Sequence, residues 1–320
     1  MGVGGTGRAA HTSEPGWRVW LLGARPRTLP AAVVPVLVGT AAAATPTTGH
    51  RGFELAVGSV SWGRAALAMV VALALQVGTN YANDLSDGRR GTDDPTKRVG
   101  PPRLVGNGLA SADAVRWAMV SAFGTAVAAG FTLVLLVGWE LVPVGVAAVA
   151  AGYLYTGGPR PYGYAGFGEA FVFVFFGVVA TVGSTYVQTR AASALSLGAS
   201  IGVGALATAM LVVNNLRDIP GDTASGKRTL AVRIGDPSTR VLYALLMLVP
   251  FVVLPFVAGL SGRPLGSLAF VAILVGTKPL QKVLGGARGR DLIDVLGATG
   301  RTQLVYGVLL AVGLFVLEGP

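Results

Sequence analysis

Two polar segments interrupt a chain that is otherwise strongly apolar. The first, "QVGTNYANDLSD", runs from Gln76 to Asp87 directly after an apolar stretch. If the preceding helix continues through this segment, its polar residues recur at the spacing of one helix face. The members of this first polar face are Gln76, Asn80, Asn83, Asp84 and Asp87. Amide and carboxylate side chains therefore line up on one side of a helix end.

The second polar segment, "NNLRDIPGD", repeats the pattern farther along the chain. Its polar face consists of Asn214, Asn215, Asp218 and Asp222. Two such faces at the same side of a helical bundle are typical of a diverged internal duplication that brings them face to face. We therefore expect both faces to border one cavity.

Carboxylates that close on one cavity repel each other and lose hydration, at a cost on the order of several kcal/mol unless cations enter. Only Asp and Asn oxygens are offered here, which favours Mg²⁺, with Mn²⁺ as the alternative, over zinc or copper. Mg²⁺ often shares its coordination with phosphate oxygens, and Lys227 and Arg228 follow Asp222 closely enough to hold a phosphate group. The pattern thus predicts a phosphorylated substrate.

Few residues in this chain could support other kinds of catalysis. It contains no cysteine and only two histidines, His11 and His50. A thiolate nucleophile or cysteine metal site is therefore excluded, and histidine catalysis is disfavoured. The net charge of +10 comes with no nucleic-acid-binding motif. Glu169 starts an apolar segment, where an acidic group is costly, so we expect it to have a partner or a role.

The elements that must position these residues are membrane helices. Of 320 residues, 52% are hydrophobic and 12% are charged, whereas roughly a quarter are charged in soluble domains. Apolar stretches long enough to cross about 30 Å of hydrocarbon recur along the chain. The predicted spans are 29–46, 64–83, 114–137, 140–156, 167–188, 195–215, 240–259, 265–281 and 302–318. The predicted fold class is all-α, a multi-pass bundle of nine transmembrane helices.

Basic residues are distributed unevenly over the loops between these spans. Only Arg51, Arg64, Arg190 and Arg263 fall on one side, which leaves 21 of the 25 lysines and arginines on the other. Cytoplasmic loops retain positive charge. The N-terminus is therefore predicted to be cytoplasmic and Pro320 to be outside, with the basic side facing anionic headgroups or an anionic substrate.

The N-terminal region is compatible with two interpretations. Residues 1–16 have the composition of a disordered tail, which leaves 17–320 as a single transmembrane domain. The stretch from Arg25 to Ala44 also resembles a signal peptide, because basic residues precede an apolar run that ends in small residues. The charge distribution does not separate the two, since cleavage would leave every later loop on the same side.

The two polar segments resemble the aspartate-rich motifs of the UbiA superfamily of intramembrane prenyltransferases. Four further stretches are similar to the branch that prenylates 1,4-dihydroxy-2-naphthoate in menaquinone synthesis. They are "ARPRTLPAAVVPVLVG", "GTDDPTKRVGPPRLV", "YTGGPRPYGYAGFGE" and "GKRTLAVRIG". The first motif departs from the simple NDxxDxxxD form, because Gly91 stands where the third aspartate would be and Asp93 follows two residues later.

The resemblance implies Mg²⁺-dependent transfer from a polyprenyl diphosphate at the lipid bilayer. The family's magnesium aspartates match Asp84, Asp87, Asp218 and Asp222, with Asn80 and Asn83 beside them, and its diphosphate-binding basic pair matches Lys227 and Arg228. The four aspartates and Lys227 are thus the expected catalytic residues. The departing diphosphate would leave an allylic carbocation, whose path Tyr155 and the aromatic residues of 171–176 are expected to line.

For the acceptor, the resemblance implies 1,4-dihydroxy-2-naphthoate, which would lose CO₂ and give demethylmenaquinol in a bacterial plasma membrane. Arg25, Arg27 or Arg160 would orient its carboxylate. Other acceptors for the same donor site are 4-hydroxybenzoate, homogentisate or a sugar phosphate. A cation-coupled transporter is the alternative from another class, but transport favours carboxylates near the bilayer midplane rather than at helix ends beside basic loops.

Overall fold

The computed structural model describes residues 16–45, 52–90 and 99–319, and these are largely helical. Residues 1–15 of the tail predicted for 1–16, both histidines, Asp93 and Asp94 lie outside the described residues. The α-helices are α1 (Trp17–Ala24), α2 (Pro30–Ala42), α3 (Trp62–Arg89), α4 (Ala112–Val137), α5 (Leu141–Leu154), α6 (Gly168–Val172), α7 (Ala180–Thr189), α8 (Ala194–Ala224), α9 (Leu230–Leu260), α10 (Ala272–Leu284) and α11 (Asp291–Phe315). A π-helical segment, Phe173–Val179, joins α6 to α7, and 3₁₀ turns cover Pro26–Thr28, Val57–Ser59, Tyr162–Ala165 and Pro264–Val271.

Each of the nine predicted spans overlaps a helical segment of the structure. Within the described residues, seven helical segments are long and apolar enough to cross a membrane. An eighth results if α1 and α2 are taken together, although they are bent by 56°. Helix α5 has only 14 residues, or about 21 Å of helix against a hydrocarbon core of about 30 Å. The predicted count of nine full spans is therefore not confirmed.

Two helix boundaries differ from the prediction in a way that matters for the site. Helix α8 continues to Ala224, past the predicted end of the apolar span at residue 215, so Asp218 and Asp222 lie on one helix as the predicted second polar face requires. Helix α11 begins at Asp291 rather than at residue 302. The charges of its first turns suggested a loop, but acidic residues such as Asp291 and Asp294 stabilise a helix N-terminus.

A short antiparallel pair of strands departs from the all-α prediction. Strand β1 (Gly52–Leu55) pairs with β2 (Val316–Gly319), with Leu55 opposite Val316. The predicted last span ran to residue 318, but the helix ends at Phe315 and the chain becomes extended. The fold is thus nearly all-helical, with one two-stranded sheet at the bundle end where α11 finishes.

Helices α2, α8 and α11 form the centre of the bundle. Val34 and Val38 of α2, Val203 and Leu206 of α8, and Leu310 of α11 have no exposed surface and belong to one apolar cluster. Helix α2 contacts both α8 and α11. A signal peptide that is cleaved off does not fit this position, because its loss would uncover the buried faces of the two other helices.

Arginines hold the bundle end that carries the strand pair. Arg64 donates hydrogen bonds to the carbonyl oxygens of Val187 and Leu136, at 3.1 and 3.3 Å. Arg263 donates to those of Ala41, Ala44 and Leu314, at 2.6 to 3.0 Å. These carbonyls lie at helix C-termini, where the last turn has no intrahelical partner. Two of the four arginines on the sparsely charged side are therefore used as helix caps.

The closest approach of α2 and α7 is at Gly39. A methyl group added there would lie 2.1 Å from the carbonyl oxygen of Thr181. Overpacking of this kind costs about 1–3 kcal/mol. We predict that Gly39→Ala lowers the free energy of unfolding by about that amount, seen as a lower thermal unfolding temperature in detergent. Gly124→Ala on α4 is the matched control, because a methyl group there meets nothing within 4 Å. Equal unfolding temperatures for the two variants would contradict the packing argument.

The orientation of the bundle can be tested with single cysteines, because the chain has none of its own. Arg160 and Ala192 are both exposed and lie in loops at opposite ends of the bundle. The charge asymmetry predicts that Arg160→Cys reacts with a membrane-impermeant maleimide only from the cytoplasmic side, and Ala192→Cys only from outside. Labelling of intact cells compared with inverted vesicles measures this. The reversed pattern would show the opposite orientation.

Candidate functional site

One large cavity opens at the end of the bundle that carries Asp87 and Asp218, which we call the motif end. Its volume is about 1140 Å³. Every member of the two polar faces lines it, as do apolar residues of α4, α5 and the π-helical segment. The two faces therefore border a common cavity, as the repeated sequence pattern predicts. The cavity combines a polar, charged region with a long apolar wall.

Asp87 is buried in this cavity and paired with two cations. It is only 3% exposed. Lys227 Nζ lies 2.9 Å from its Oδ1, and the guanidinium of Arg103 lies 3.5 Å from its Oδ2. The hydroxyl of Tyr164 also donates a hydrogen bond to Oδ1. A carboxylate removed from water requires such partners. Asp87 thereby ties α3 to three loops, those that precede α4, α6 and α9.

The ring of Tyr164 organises the cations around Asp87. The Lys227 ammonium lies 4.5 Å and the Arg90 guanidinium 5.1 Å from the ring centroid, so both are attracted to its π electrons. The backbone N–H of Arg228 donates to the carbonyl oxygen of Tyr164 at 2.9 Å. Burial, and then the nearby Asp87, raises the pKa of Tyr164. Its hydroxyl therefore remains a proton donor to Asp87 at neutral pH.

Asp84 uses both carboxylate oxygens to hold the loop before α4. Its Oδ2 accepts the backbone N–H of Leu104 and its Oδ1 that of Val105, each at 2.9 Å. Asp84 is 1% exposed and Leu104 is fully buried. The loop that these bonds anchor brings Arg103 to Asp87. The metal-binding role of Asp84 stays a prediction, and its observed contacts are structural.

The remaining residues of the first polar face hold neighbouring segments. Thr156, which follows α5, donates a hydrogen bond of 2.8 Å to Asn83 Oδ1. The amide of Asn80 donates to the carbonyl oxygen of Ala24, and that of Gln76 donates to the Thr28 hydroxyl, each at 2.9 Å. These last two bonds fix the bend between α1 and α2. That bend places Arg25, which has a left-handed backbone at φ 53°, in the cavity lining.

In the second polar face, Asp218 is paired with its own neighbour in the chain. The Arg217 guanidinium donates to both oxygens of Asp218, at 2.7 and 2.6 Å, and to Asn214 Oδ1 at 2.8 Å. The side chain of Arg217 is only 3% exposed. Two-point contact of this kind is the strong form of an arginine–carboxylate pair. Arg217 thus supplies a third buried cation to the site.

Asn215 and Asp222 complete the second face with fewer contacts. The amide of Asn215 donates to Glu169 Oε1 at 2.9 Å, so Glu169 has the polar partner that its sequence position led us to expect. The Thr229 hydroxyl lies 3.5 Å from Asp222 Oδ2. Asp222 is therefore the cavity carboxylate with the weakest structural engagement.

The basic residues predicted to bind substrate divide into two groups. Of these, Arg25, Arg27 and Lys227 line the cavity, together with Arg103 and Arg217, which the sequence analysis did not single out. Arg228 and Arg160 are exposed, and neither lines the cavity. Contact between substrate and either of these two side chains, as the sequence predicted, requires that side chain to turn inward. The inward-facing cations are the stronger candidates for holding an anionic group.

A row of aromatic rings follows one wall of the cavity. Tyr155 and Tyr162 meet edge to face at 5.5 Å, Tyr162 and Phe171 stack at 4.0 Å, and Phe171 and Phe175 stack at 6.0 Å between centroids. All four rings line the cavity. Phe173 packs against α8 instead. The expected aromatic lining is therefore present for part of the 171–176 segment.

The acidic residues do not form a ready-made metal site. Among the described residues, no group of three His, Cys, Asp or Glu side chains is placed to hold a metal ion. Instead, Asp218 is bound by an arginine, Asp87 by a lysine and Asp84 by backbone amides. Asp222 and Asn83 also line the cavity, so the donor atoms that these side chains can offer are oxygens, which fits Mg²⁺ in kind. A metal ion that binds these carboxylates must therefore replace their present partners.

Sequence reasoning missed three residues that shape the site: Arg103, Tyr164 and Arg217. Arg103 and Arg217 were counted only among the many basic residues on one side of the bundle, so no individual role was assigned to them. Arg217 stands inside the second motif, between its asparagines and its aspartate. That position is a signal that could have been used. Tyr164 gave no comparable signal, because its partner Asp87 is 77 positions away.

Comparison with known proteins identifies the relatives of this chain. The UbiA prenyltransferase family matches residues 32–291. A Mycobacterium tuberculosis protein named 1,4-dihydroxy-2-naphthoate octaprenyltransferase is 46% identical, over 91% of this chain and 95% of its own length. An Escherichia coli protein of the same name is 33% identical, over 94% of this chain and 96% of its own length.

Solved structures share the fold at low sequence identity. The apo structure of a UbiA homologue from Aeropyrum pernix has a TM-score of 0.64 and 14% identity, and covers 88% of this chain and 96% of its own. A UbiA homologue from Archaeoglobus fulgidus bound to DMAPP and Mg²⁺ has a TM-score of 0.56 and 14% identity, and covers 91% and 98%. The chain thus shares the helical fold of these two structures.

The contrast between Asp84 and Asp222 generates a test of the site. Asp84→Asn places an amide where a backbone N–H needs an acceptor, so we predict a loss of about 1–3 kcal/mol in the free energy of unfolding. Asp222→Asn should unfold near the wild-type temperature, but lose the stabilisation that Mg²⁺ with inorganic diphosphate gives the wild type. Thermal unfolding with and without these ligands measures both effects. A normal ligand response in Asp222→Asn would remove that residue from the binding site.

Proposed function

The chain belongs to the UbiA prenyltransferase family, and on this premise we propose that it transfers a polyprenyl group from a polyprenyl diphosphate to 1,4-dihydroxy-2-naphthoate. The observation that carries the proposal is the cavity in which both aspartate motifs, several cations and a long apolar wall meet. The naphthoate acceptor is supported by the names of relatives that align over nearly the whole chain. The product would be demethylmenaquinol in a bacterial membrane.

The charged region of the cavity is suited to a diphosphate. Lys227, Arg103 and Arg217 each face the cavity and already hold carboxylates there. A diphosphate offers them oxygen acceptors of the same kind, so the cations can pass from carboxylate to substrate without becoming unpaired. The apolar wall of α4 and α5 accommodates the lipid tail, which explains a charged site that opens into a membrane bundle.

The residues that would hold Mg²⁺ are those whose oxygens face the diphosphate region. Asp87, Asp218 and Asp222 offer carboxylates and Asn83 offers an amide oxygen, with Mn²⁺ as the alternative ion. When bound, the metal supplies positive charge that stabilises the departing diphosphate. The protein's part is to bring both motifs to one cavity and to release Asp87 and Asp218 from their present cations.

The aromatic row is placed to protect the reacting carbons. Departure of diphosphate takes the electron pair of the C–O bond and leaves an allylic cation. Rings such as Tyr155, Tyr162 and Phe171 present π electrons to such a cation and exclude water from it. Because a reaction of this type needs no covalent enzyme intermediate, a chain without cysteine can perform it.

Arg25 is the residue that we favour for orienting the carboxylate of the acceptor. It lines the cavity at the bend between α1 and α2, whereas Arg160 does not line the cavity at all. Arg27 also lines the cavity, and its guanidinium is 3.4 Å from the carbonyl oxygen of Ile293. A guanidinium binds a carboxylate through two parallel hydrogen bonds, which sets the plane of the acceptor ring.

The chemistry of the naphthoate acceptor predicts release of CO₂. The ring carbon that accepts the prenyl group already bears the carboxylate. Its new C–C bond forms from the ring's π electrons, and the electrons of the broken bond to the carboxylate restore aromaticity. We predict one CO₂ per prenyl group transferred, measured with carboxyl-labelled 1,4-dihydroxy-2-naphthoate, polyprenyl diphosphate and Mg²⁺.

The control for this assay is Asp222→Asn, which should lower turnover by at least ~100-fold, as the loss of a main electrostatic contact does. Parallel reactions with 4-hydroxybenzoate and homogentisate test the other acceptors. A prenylated naphthoate that keeps its label would disprove the decarboxylating reaction. Turnover of 4-hydroxybenzoate with none of the naphthoate would replace the acceptor and leave the donor site unchanged.

A further inference from the structure

A second cleft lies on the outer surface of the bundle, separate from the cavity. It has a volume of about 400 Å³ and runs between α10 and α11. We call it the α10–α11 groove. The lining residues that matter here are Leu274, Lys278, Lys282, Asp294, Ala298 and Arg301. None of them lines the large cavity. The two lysines are one helical turn apart on α10, and Asp294, Ala298 and Arg301 share one face of α11.

The groove carries an excess of positive charge. Lys278, Lys282 and Arg301 face one carboxylate, Asp294. Within the part of the chain that the structure describes, none of the three cations forms an ion pair or a hydrogen bond. A neighbouring arginine at the same end, Arg240, is in contrast paired with Asp236 at 2.6 Å. The groove therefore has two cations more than its own acidic group can neutralise.

The depth of Arg301 separates it from ordinary loop charges. The exposed Trp62 ring contacts Phe315 where α11 ends, and tryptophan is enriched at the membrane–water interface. Arg301 is 14 residues from Phe315, or about 21 Å along the helix, whereas the hydrocarbon core is about 30 Å thick. Arg301 thus starts on the hydrocarbon side of the boundary at the motif end, where an uncompensated charge is costly.

The surroundings of the groove are apolar, and its arginine points toward the headgroup level. Leu274, one turn from Lys278, is 74% exposed, as expected for a residue that faces acyl chains. The Arg301 guanidinium lies 3.9 Å from the position that a Cβ on Gly297 would take. The side chain therefore folds back by one turn toward the motif end, which is the direction in which arginine reaches for phosphate groups.

From these observations we propose that the α10–α11 groove binds an anionic phospholipid. Its phosphate contacts Lys278, Lys282 and Arg301, and one acyl chain lies along Leu274. Basic pockets between membrane helices have the chemistry that anionic headgroups require. Since the groove's cations exceed its carboxylate by two, a lipid with two phosphates should bind more tightly than one with a single phosphate. The general preference for basic loops explains the sign of these charges but not their convergence on one cleft.

The test is lipid retention by the purified full-length protein, measured by native mass spectrometry with cardiolipin, phosphatidylglycerol or phosphatidylcholine. The wild type should retain lipid in that order. The double variant Lys278→Gln, Arg301→Gln should lower the ratio of retained cardiolipin to phosphatidylcholine by about tenfold or more. Arg288→Gln, Arg290→Gln is the matched control, because both arginines are exposed at the same end but neither lines the groove. It should stay within about twofold of the wild type.

A second variant and a variant-free measurement complete the test. Ala298→Phe fills the groove without changing charge and should also reduce cardiolipin retention. If the variants do not fold, a photoreactive cardiolipin analogue on the wild type should crosslink to α10 or α11. Crosslinks confined to other helices, equal retention of phosphatidylcholine, or full retention by the folded groove variants would each overturn the proposal. Displacement of cardiolipin by inorganic diphosphate at equal concentration would identify a site for free phosphate instead.

Discussion

The structure of the motif end depends on one requirement, which is that a carboxylate buried in an apolar bundle must be met by positive charge. Asp87 is 3% exposed and cannot be solvated. Lys227 and Arg103 reach it from two different loops, and Tyr164 reaches it from a third. Asp84 holds one of those loops through its backbone. The loops that surround the cavity are therefore positioned by a charge on α3.

The second motif meets the same requirement within one helix. Arg217 and Asp218 are adjacent, and the arginine also reaches Asn214 one turn earlier. Asp87 and Asp218 thus each have a positively charged partner before any ligand is present. In the proposed reaction, the diphosphate brings negative charge and its metal ion brings positive charge. When they bind, the cations of the site pass to the diphosphate and the carboxylates pass to the metal ion, so no charge is left unpaired. This keeps the desolvation cost low inside an apolar cavity.

The two ends of the bundle use arginine in different ways. At the strand-pair end, Arg64 and Arg263 bind backbone carbonyls at helix termini, where they close the structure. At the motif end, cations such as Arg103 and Arg217 bind carboxylates, which the diphosphate of the proposed reaction would replace. The groove between α10 and α11 adds cations that bind neither a carbonyl nor a carboxylate of the residues that the structure describes. A count of basic residues per loop shows that the two ends of the bundle differ in charge. It does not distinguish arginines that cap helices from cations that bind carboxylates or from those of the groove.

Hydropathy and helical spacing were enough to establish a membrane bundle and to put the Asn and Asp residues of 76–87 and 214–222 on two helix faces, because both depend on local sequence. The same reasoning could not find that Asp84 binds the backbone of Leu104, or that Tyr164 joins Asp87. It also placed the start of α11 eleven residues too late and missed the β1–β2 pair. Which oxygen of a buried carboxylate meets a cation, and which a backbone amide, depends on the path of loops that are distant in sequence. Only tertiary structure decides this, since no local periodicity records it.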